Sequence, residues 1–182
     1  MKKITWFISS LLLTHTAATA QSSSASQSVS LVLNNAIDIS YMATGNGSGN
    51  NAMMQFSNPT DYSNGVTSPE QGLRVRSNKS FKVAVRCEAS GFTYQGNNAN
   101  TMQNMPDNAL KLKVTANNTG GAVKAPFTTD GYASLSNESQ DLLVGGEYGQ
   151  NQTFAVQYKC TPGFNLPAGT YTMNVVYTAT QE

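Results

Sequence analysis

"FKVAVRC" (Phe81–Cys87) and "FAVQYKC" (Phe154–Cys160) are laid out on one plan: a Phe, apolar residues at every second position, then a Cys preceded by a cation. A two-residue apolar period is that of a half-buried β-strand, because successive side chains leave the backbone on opposite faces. Leu110, Leu112, Val114 and Ala116 repeat the pattern, and so does "TYTMNVVYTAT", in which Tyr171, Met173, Val175, Tyr177 and Ala179 alternate with mostly polar residues. A further strand is expected over Ser28–Ser40, with Val29, Leu31 and Leu33 on one face. Shorter candidates lie at Met53–Phe56, Leu73–Arg76, Tyr132–Leu135 and Asp141–Val144. Asn64-Gly65, Gly120-Gly121, Asp130-Gly131 and Gly145-Gly146 punctuate them with turn signals. Helical periodicity is scarcely found after residue 20. Many short strands joined by turns predict an all-β fold, an antiparallel immunoglobulin-like β-sandwich of about seven or eight strands.

Cys87 and Cys160 are the only cysteines. In an exported chain such a pair is expected to form one disulfide, and closing so long a loop would stabilise the fold by roughly 4 kcal/mol. Were their strands antiparallel neighbours in full register, Phe81 would face Cys160 and the sulfurs would lie at opposite ends. Running the same way on facing sheets, as strands B and F do in an immunoglobulin-like domain, they would bring both cysteines to one end. The terminal stretch then becomes strand G, the hairpin partner of Phe154–Cys160, and Tyr171, Met173, Val175 and Tyr177 mark it as a candidate edge strand.

Export is itself an expectation from the first twenty residues. Lys2 and Lys3 precede an apolar run from Ile4 to Leu13, and Ala18-Thr19-Ala20 has the small-residue form of a cleavage site. Residues 1–20 are therefore expected to be a signal peptide removed after Ala20. The run is too short to span a bilayer, so no integral membrane segment is expected and the product is secreted or held at the cell surface. Gln21–Ser28 then forms a flexible Ser-rich leader, and 29–182 the β domain. The only Trp (Trp6) and the only His (His15) leave with the signal. Nine Lys and Arg remain against ten acidic residues. So balanced a charge offers no basic footprint for nucleic acid.

Catalysis needs a group that titrates near working pH or a nucleophile with a base beside it. With no His and both cysteines committed, carboxylates remain, and Asp61, Glu70, Asp107, Asp130, Glu138, Asp141 and Glu147 are the candidates for a catalytic pair. They are scattered through turn regions, where capping and solvation account for them. No zinc ligand set can be assembled, and no metal or other cofactor is expected. The protein is expected not to be an enzyme. Tyr62, Tyr132 and Tyr148 lie in turn-rich stretches and are candidate ligand-contact residues, able to stack on sugars.

The first strand "SVSLVLNNAIDIS", the interior strands and the ending "AGTYTMNVVYTAT" resemble secreted bacterial pilin-like domains. The resemblance is particularly to the spore-coat-protein-U-like subunits of archaic chaperone-usher pili and related surface proteins of Gram-negative bacteria. It implies a structural subunit of a pilus or surface layer, assembled by donor-strand complementation with itself or other surface subunits and served by a periplasmic chaperone and an usher. Val29, Leu31 and Leu33, behind a mobile leader, are then the candidate donor residues. Two readings of 29–40 stay open, donation to a neighbour or the first strand of the same domain. The alternative function is a secreted adhesion module that binds carbohydrate or protein as a monomer.

Overall fold

The computed structural model describes residues 21–42, 50–96 and 105–182. The expected signal peptide lies outside them, as do parts of the loops around Gly45–Asn51 and Gln95–Asp107. The chain divides into Met1–Leu33 and Asn34–Glu182, and among the described residues every strand and the one α-helix fall in the second unit. In chain order these are β1 (Ile37–Tyr41), α1 (Pro59–Asn64), β2 (Val66–Thr67), β3 (Gln71–Ser77), β4 (Phe81–Cys87) and β5 (Thr93–Gln95). There follow β6 (Leu110–Asn118), β7 (Ala122–Val123), β8 (Ala133–Ser134), β9 (Gln140–Gly146), β10 (Gly149–Cys160), β11 (Thr170–Thr172) and β12 (Val175–Gln181).

All pairings are antiparallel, as expected of an all-β chain. One sheet runs β1-β3-β10-β6-β8, a second runs β12-β4-β9-β7, and β11 pairs with β5 in a small ribbon. Alternation decides which side chains turn inward. Phe81, Val83, Val85 and Cys87 of β4 and Phe154, Val156, Tyr158 and Cys160 of β10 join Leu73, Val75, Leu110, Leu112, Val114, Leu142 and Leu143 in one buried cluster. The twelve-residue β10 is the longest strand and the hub, with β6 on one side and β2 and β3 on the other. β2 and β3 act as one ribbon interrupted at Pro69, which has no amide proton to give to a ladder. Ser68 bridges the gap: its amide donates to the Tyr158 carbonyl at 2.9 Å, and its hydroxyl accepts from the Tyr158 amide at 3.0 Å.

One close approach requires a glycine. Phe81 pairs with Gly146, and a Cβ placed there would meet the Phe81 ring at 2.6 Å. The bare backbone lets the ring lie flat over the strand.

Three expectations are corrected. No disulfide joins Cys87 and Cys160, which are both buried free thiols in different sheets. Facing sheets stand about 10 Å apart, whereas a disulfide tolerates Cα atoms no more than about 7 Å apart. Met105 fills the space at Cys160, its Sδ 3.7 Å from Sγ, and both thiols serve as small apolar groups. Second, the terminal stretch is two elements, and β12 pairs with β4, from Val175 opposite Cys87 to Gln181 opposite Phe81, rather than with Phe154–Cys160. Third, Met53–Phe56 forms no ladder, although Met54 and Phe56 pack against the core as alternation predicts. The short helix α1 was not expected. Asn58 caps it by accepting from the Asp61 amide at 3.1 Å, Asp61 accepts in return from the Asn58 amide, and Pro59 occupies its first turn.

Since Phe154 is 1% exposed and central to the cluster, Phe154→Ala is expected to cost about 3–5 kcal/mol in urea unfolding. Tyr148→Ala, at a side chain 72% exposed, should stay within about 0.5 kcal/mol of the parent.

Candidate functional site

Sheet edges carry unpaired amide and carbonyl groups, so how each edge is treated shows which are closed to partners. The six-stranded sheet ends on β1 and β8, the four-stranded sheet on β12 and β7. β7 and β8 are two residues each, too short to template another strand. β1 carries Asp38, whose carboxylate pairs with Arg76 across the ladder at 2.8 Å. The seven residues of β12, Val-Val-Tyr-Thr-Ala-Thr-Gln, include no charge and no proline. Among the described residues nothing pairs with the side of β12 away from β4.

β1 and β12, although in different sheets, are neighbours at this end of the core. The Tyr41 and Tyr177 rings meet edge to face with centroids 6.4 Å apart, and Phe154 lies beneath Tyr177 at 6.2 Å. Tyr177 and Tyr158 share a hydrogen bond of 2.7 Å between their hydroxyls. At the far end of β12, the Gln181 amide donates to the Ala36 carbonyl, the Ser77 hydroxyl and the Asn78 carboxamide. Ile37 and Tyr41 of β1 remain 37% and 38% exposed. The result is an apolar margin, pinned at one end by Gln181, along a strand edge with open hydrogen-bonding groups.

Of the candidate donor residues, Val29, Leu31 and Leu33 are 76%, 84% and 88% exposed, and residues 21–36 belong to no strand. Within 29–40, Ile37–Ser40 belong to β1, which pairs with β3, while no strand is assigned to Val29–Leu33. Val175 and Tyr177 lie on the β12 edge. Tyr171 lies in β11, its ring 4.9 Å from that of Tyr94, and Met173 falls between the two elements, packed against the core.

The structure does not bring the other three candidate tyrosines together on one set of neighbours. Tyr62, in α1, stacks on Phe164 at 5.4 Å and touches Phe56 at 5.5 Å. Tyr132 donates to the Gln157 carboxamide at 2.6 Å beneath Lys113 and Lys159. Tyr148 is exposed at the β9–β10 turn. Sequence reasoning missed the Tyr132 surroundings, because Gln157 and Lys159 are distant in the chain and only the register of β10 on β6 assembles them.

The titratable groups are arranged to hold structure. Asp61 caps α1, and Asp107 accepts from the amides of Asn108 and Asn137, each at 2.8 Å. Among the described residues no three His, Cys, Asp or Glu side chains cluster as metal ligands would. Burial pushes the Cys87 thiol up to about 11, helped by the negative charge of Asp107, and burial raises Cys160 to about 11 as well. Both thiols are therefore protonated and poor nucleophiles at neutral pH. Burial likewise raises the Tyr158 and Tyr177 phenols above their ordinary value.

No protein-family model matches this sequence, and no curated protein matches it.

The fold holds these thiols and phenols in their neutral forms, while the unfolded chain releases protons from ordinary values near 9.0 and 10.0. Their contribution to stability is complete below pH 9 and declines above it, as the unfolded state alone ionises and until the raised folded values are passed. Urea midpoints are therefore expected to be level from pH 7 to 8.5 and to fall beyond pH 9. In the native protein, phenolate absorbance from the Tyr158–Tyr177 pair should appear only as the fold is lost.

Proposed function

We propose that this protein is a non-catalytic structural subunit of a bacterial surface fibre or surface layer, exported to the cell surface and assembled by β-strand addition. The fold we infer is an immunoglobulin-like sandwich in which none of the described strands takes the place of the last one. In the constant-type immunoglobulin domain one sheet runs A-B-E-D and the other places F beside C, with G on the far side of F. The order β1-β3-β10-β6 answers to A-B-E-D, and β12 beside β4 answers to F beside C. β9 and β7 extend the second sheet past β4. On this assignment β12 is strand F, and among the described residues none stands in the place of G along its open edge. By the same order Phe81–Cys87 takes the place of C and Phe154–Cys160 that of E.

The observation that carries the proposal is the coincidence of two features: a seven-residue, uncharged edge beside a partly exposed apolar margin, and an unpaired, exposed segment with apolar residues at alternate positions. Val29, Leu31 and Leu33 have the two-residue spacing needed to insert side chains between β1 and β12 of a neighbouring copy while their backbone pairs with β12. Such a contact is heterologous, head to tail, and so propagates as a fibre. An assembly chaperone would guard the same edge before a neighbouring subunit takes it.

Concentration-dependent oligomers, seen as early elution in gel filtration and as fibres by negative-stain microscopy, are expected of the chain from Gln21 onward. Val29→Asp or Leu31→Asp should abolish them, yet change the unfolding free energy measured in urea by no more than about 0.5 kcal/mol, since these side chains are exposed in the single chain. A wild-type chain that stays monomeric at every concentration, while its loop tyrosines bind a ligand, would establish the adhesion module instead.

A further inference from the structure

The outer face of the six-stranded sheet concentrates charge in a chain whose overall charge is nearly balanced. Lys159 of β10 stands directly opposite Lys111 of β6, and Lys113 opposite Gln157. Like charges facing each other across a ladder are unfavourable unless something else sits between them. Lys111 is exposed and Lys113 and Lys159 are half-buried. Among the described residues the ion pairs are Arg76 with Asp38 and Lys82 with Asp141, so none of these three lysines has an acidic partner. Glu70, on the loop bordering this face, instead accepts from the Thr115 hydroxyl.

Tyr132 organises two of the three, Lys113 and Lys159. The Lys113 and Lys159 ammoniums lie 5.1 Å and 6.0 Å from its ring centroid, within the range of cation–π attraction. The ring is fixed in turn, since its hydroxyl donates to Gln157 Oε1 at 2.6 Å and Gln157 Nε2 donates to the Ser68 carbonyl at 3.0 Å. Side chains that would otherwise wander are thus held together before any ligand arrives, which lowers the entropic cost of binding.

We propose that Lys113 and Lys159, ordered by Tyr132, together with the exposed Lys111 beside them form a binding site for an acidic polysaccharide bearing sulfate or carboxylate groups. Each ammonium is a compact donor of three hydrogen bonds, suited to such oxyanions. The open β face favours an extended chain over a small molecule. Lys111 and Lys113 are spaced about 7 Å apart along the strand and Lys159 about 5 Å across it, so successive charges of a polymer can each find a partner. Nucleic acid is the less suitable polyanion, because the Tyr132 ring is already engaged by cations and is not offered to a base for stacking.

The test is binding of the mature chain to immobilised dextran sulfate and to alginate, with neutral dextran as control, at rising salt. Retention on both acidic polymers and none on dextran is expected. Lys111→Gln/Lys113→Gln/Lys159→Gln should weaken binding by about tenfold or more. The triple substitution Lys79→Gln/Arg86→Gln/Lys124→Gln removes the same charge elsewhere and should leave most of the affinity. The urea midpoint of the first variant should be no lower than that of the parent, because a repulsive pair is removed, and Lys111→Gln alone, at an exposed position, should already weaken retention. Absence of retention overturns the proposal, as does equal weakening by the two triple variants. Single-stranded DNA bound as tightly as dextran sulfate would overturn the choice of polysaccharide.

Discussion

The fold depends on the burial of β4 and β10 against a common core. Their inward residues, Phe81, Val83, Val85 and Cys87 with Phe154, Val156, Tyr158 and Cys160, form the middle of the single cluster between the two main sheets. Because the strand period is two, every residue that enters this core commits its neighbours to the outer face, and a slip of one residue would reverse both sets. The register also governs what lies outside: it puts Lys159 opposite Lys111 and Gln157 opposite Lys113, and so creates the cationic face. Core and surface chemistry here are two consequences of one alternation.

How much of this was legible follows from what periodicity can encode. The inward faces of β4 and β10, and of β6 from Leu110 to Val114, are as their patterns predict, since alternation is a local property. A register shift against β10 puts Ala116 opposite the outward Ala155 and out of the core. Neighbour relations are not local. The final strand was expected beside Phe154–Cys160 because it follows it in sequence, yet it crosses to β4. The expected disulfide rested on expected export and on there being one pair of cysteines, neither of which fixes their separation, and inter-sheet spacing, with Met105 against Cys160, keeps them apart. Helix α1 is too short for a helical period to register, and its only signals were Asn58, Pro59 and Asp61 at the capping positions. The segment at 28–40 read as one strand because Val29, Leu31 and Leu33 alternate at its start. Alternation shows that a segment can pair, without showing that a partner is present.

The candidate edge was legible only in part. The sequence marks Val175 and Tyr177 as strand residues, but the importance of β12 comes from what lies on either side of it. β4 satisfies one edge, and the neighbouring β1 belongs to the other sheet, so the Tyr41–Tyr177 contact closes the core between them without closing the ladder. Gln181 then ties β12 to Ala36, Ser77 and Asn78, holding the far end of this margin in place.

An exposed strand edge is a hazard in any protein that must remain soluble, and the other three main edges here are shortened or charged. Leaving β12 long and uncharged carries a cost in unwanted association that selection would remove were there no use for the edge. The cost is smaller if the edge is covered soon after folding, by a chaperone or by the next subunit, and greater if the protein is to live as a monomer. A charged residue on β12 would protect a monomer at little expense to the core, because Thr178 and Thr180 already point to solvent. That neither position carries a charge fits an edge kept ready for another strand, and the exposed Val29–Leu33 segment has a suitable pattern within the same sequence.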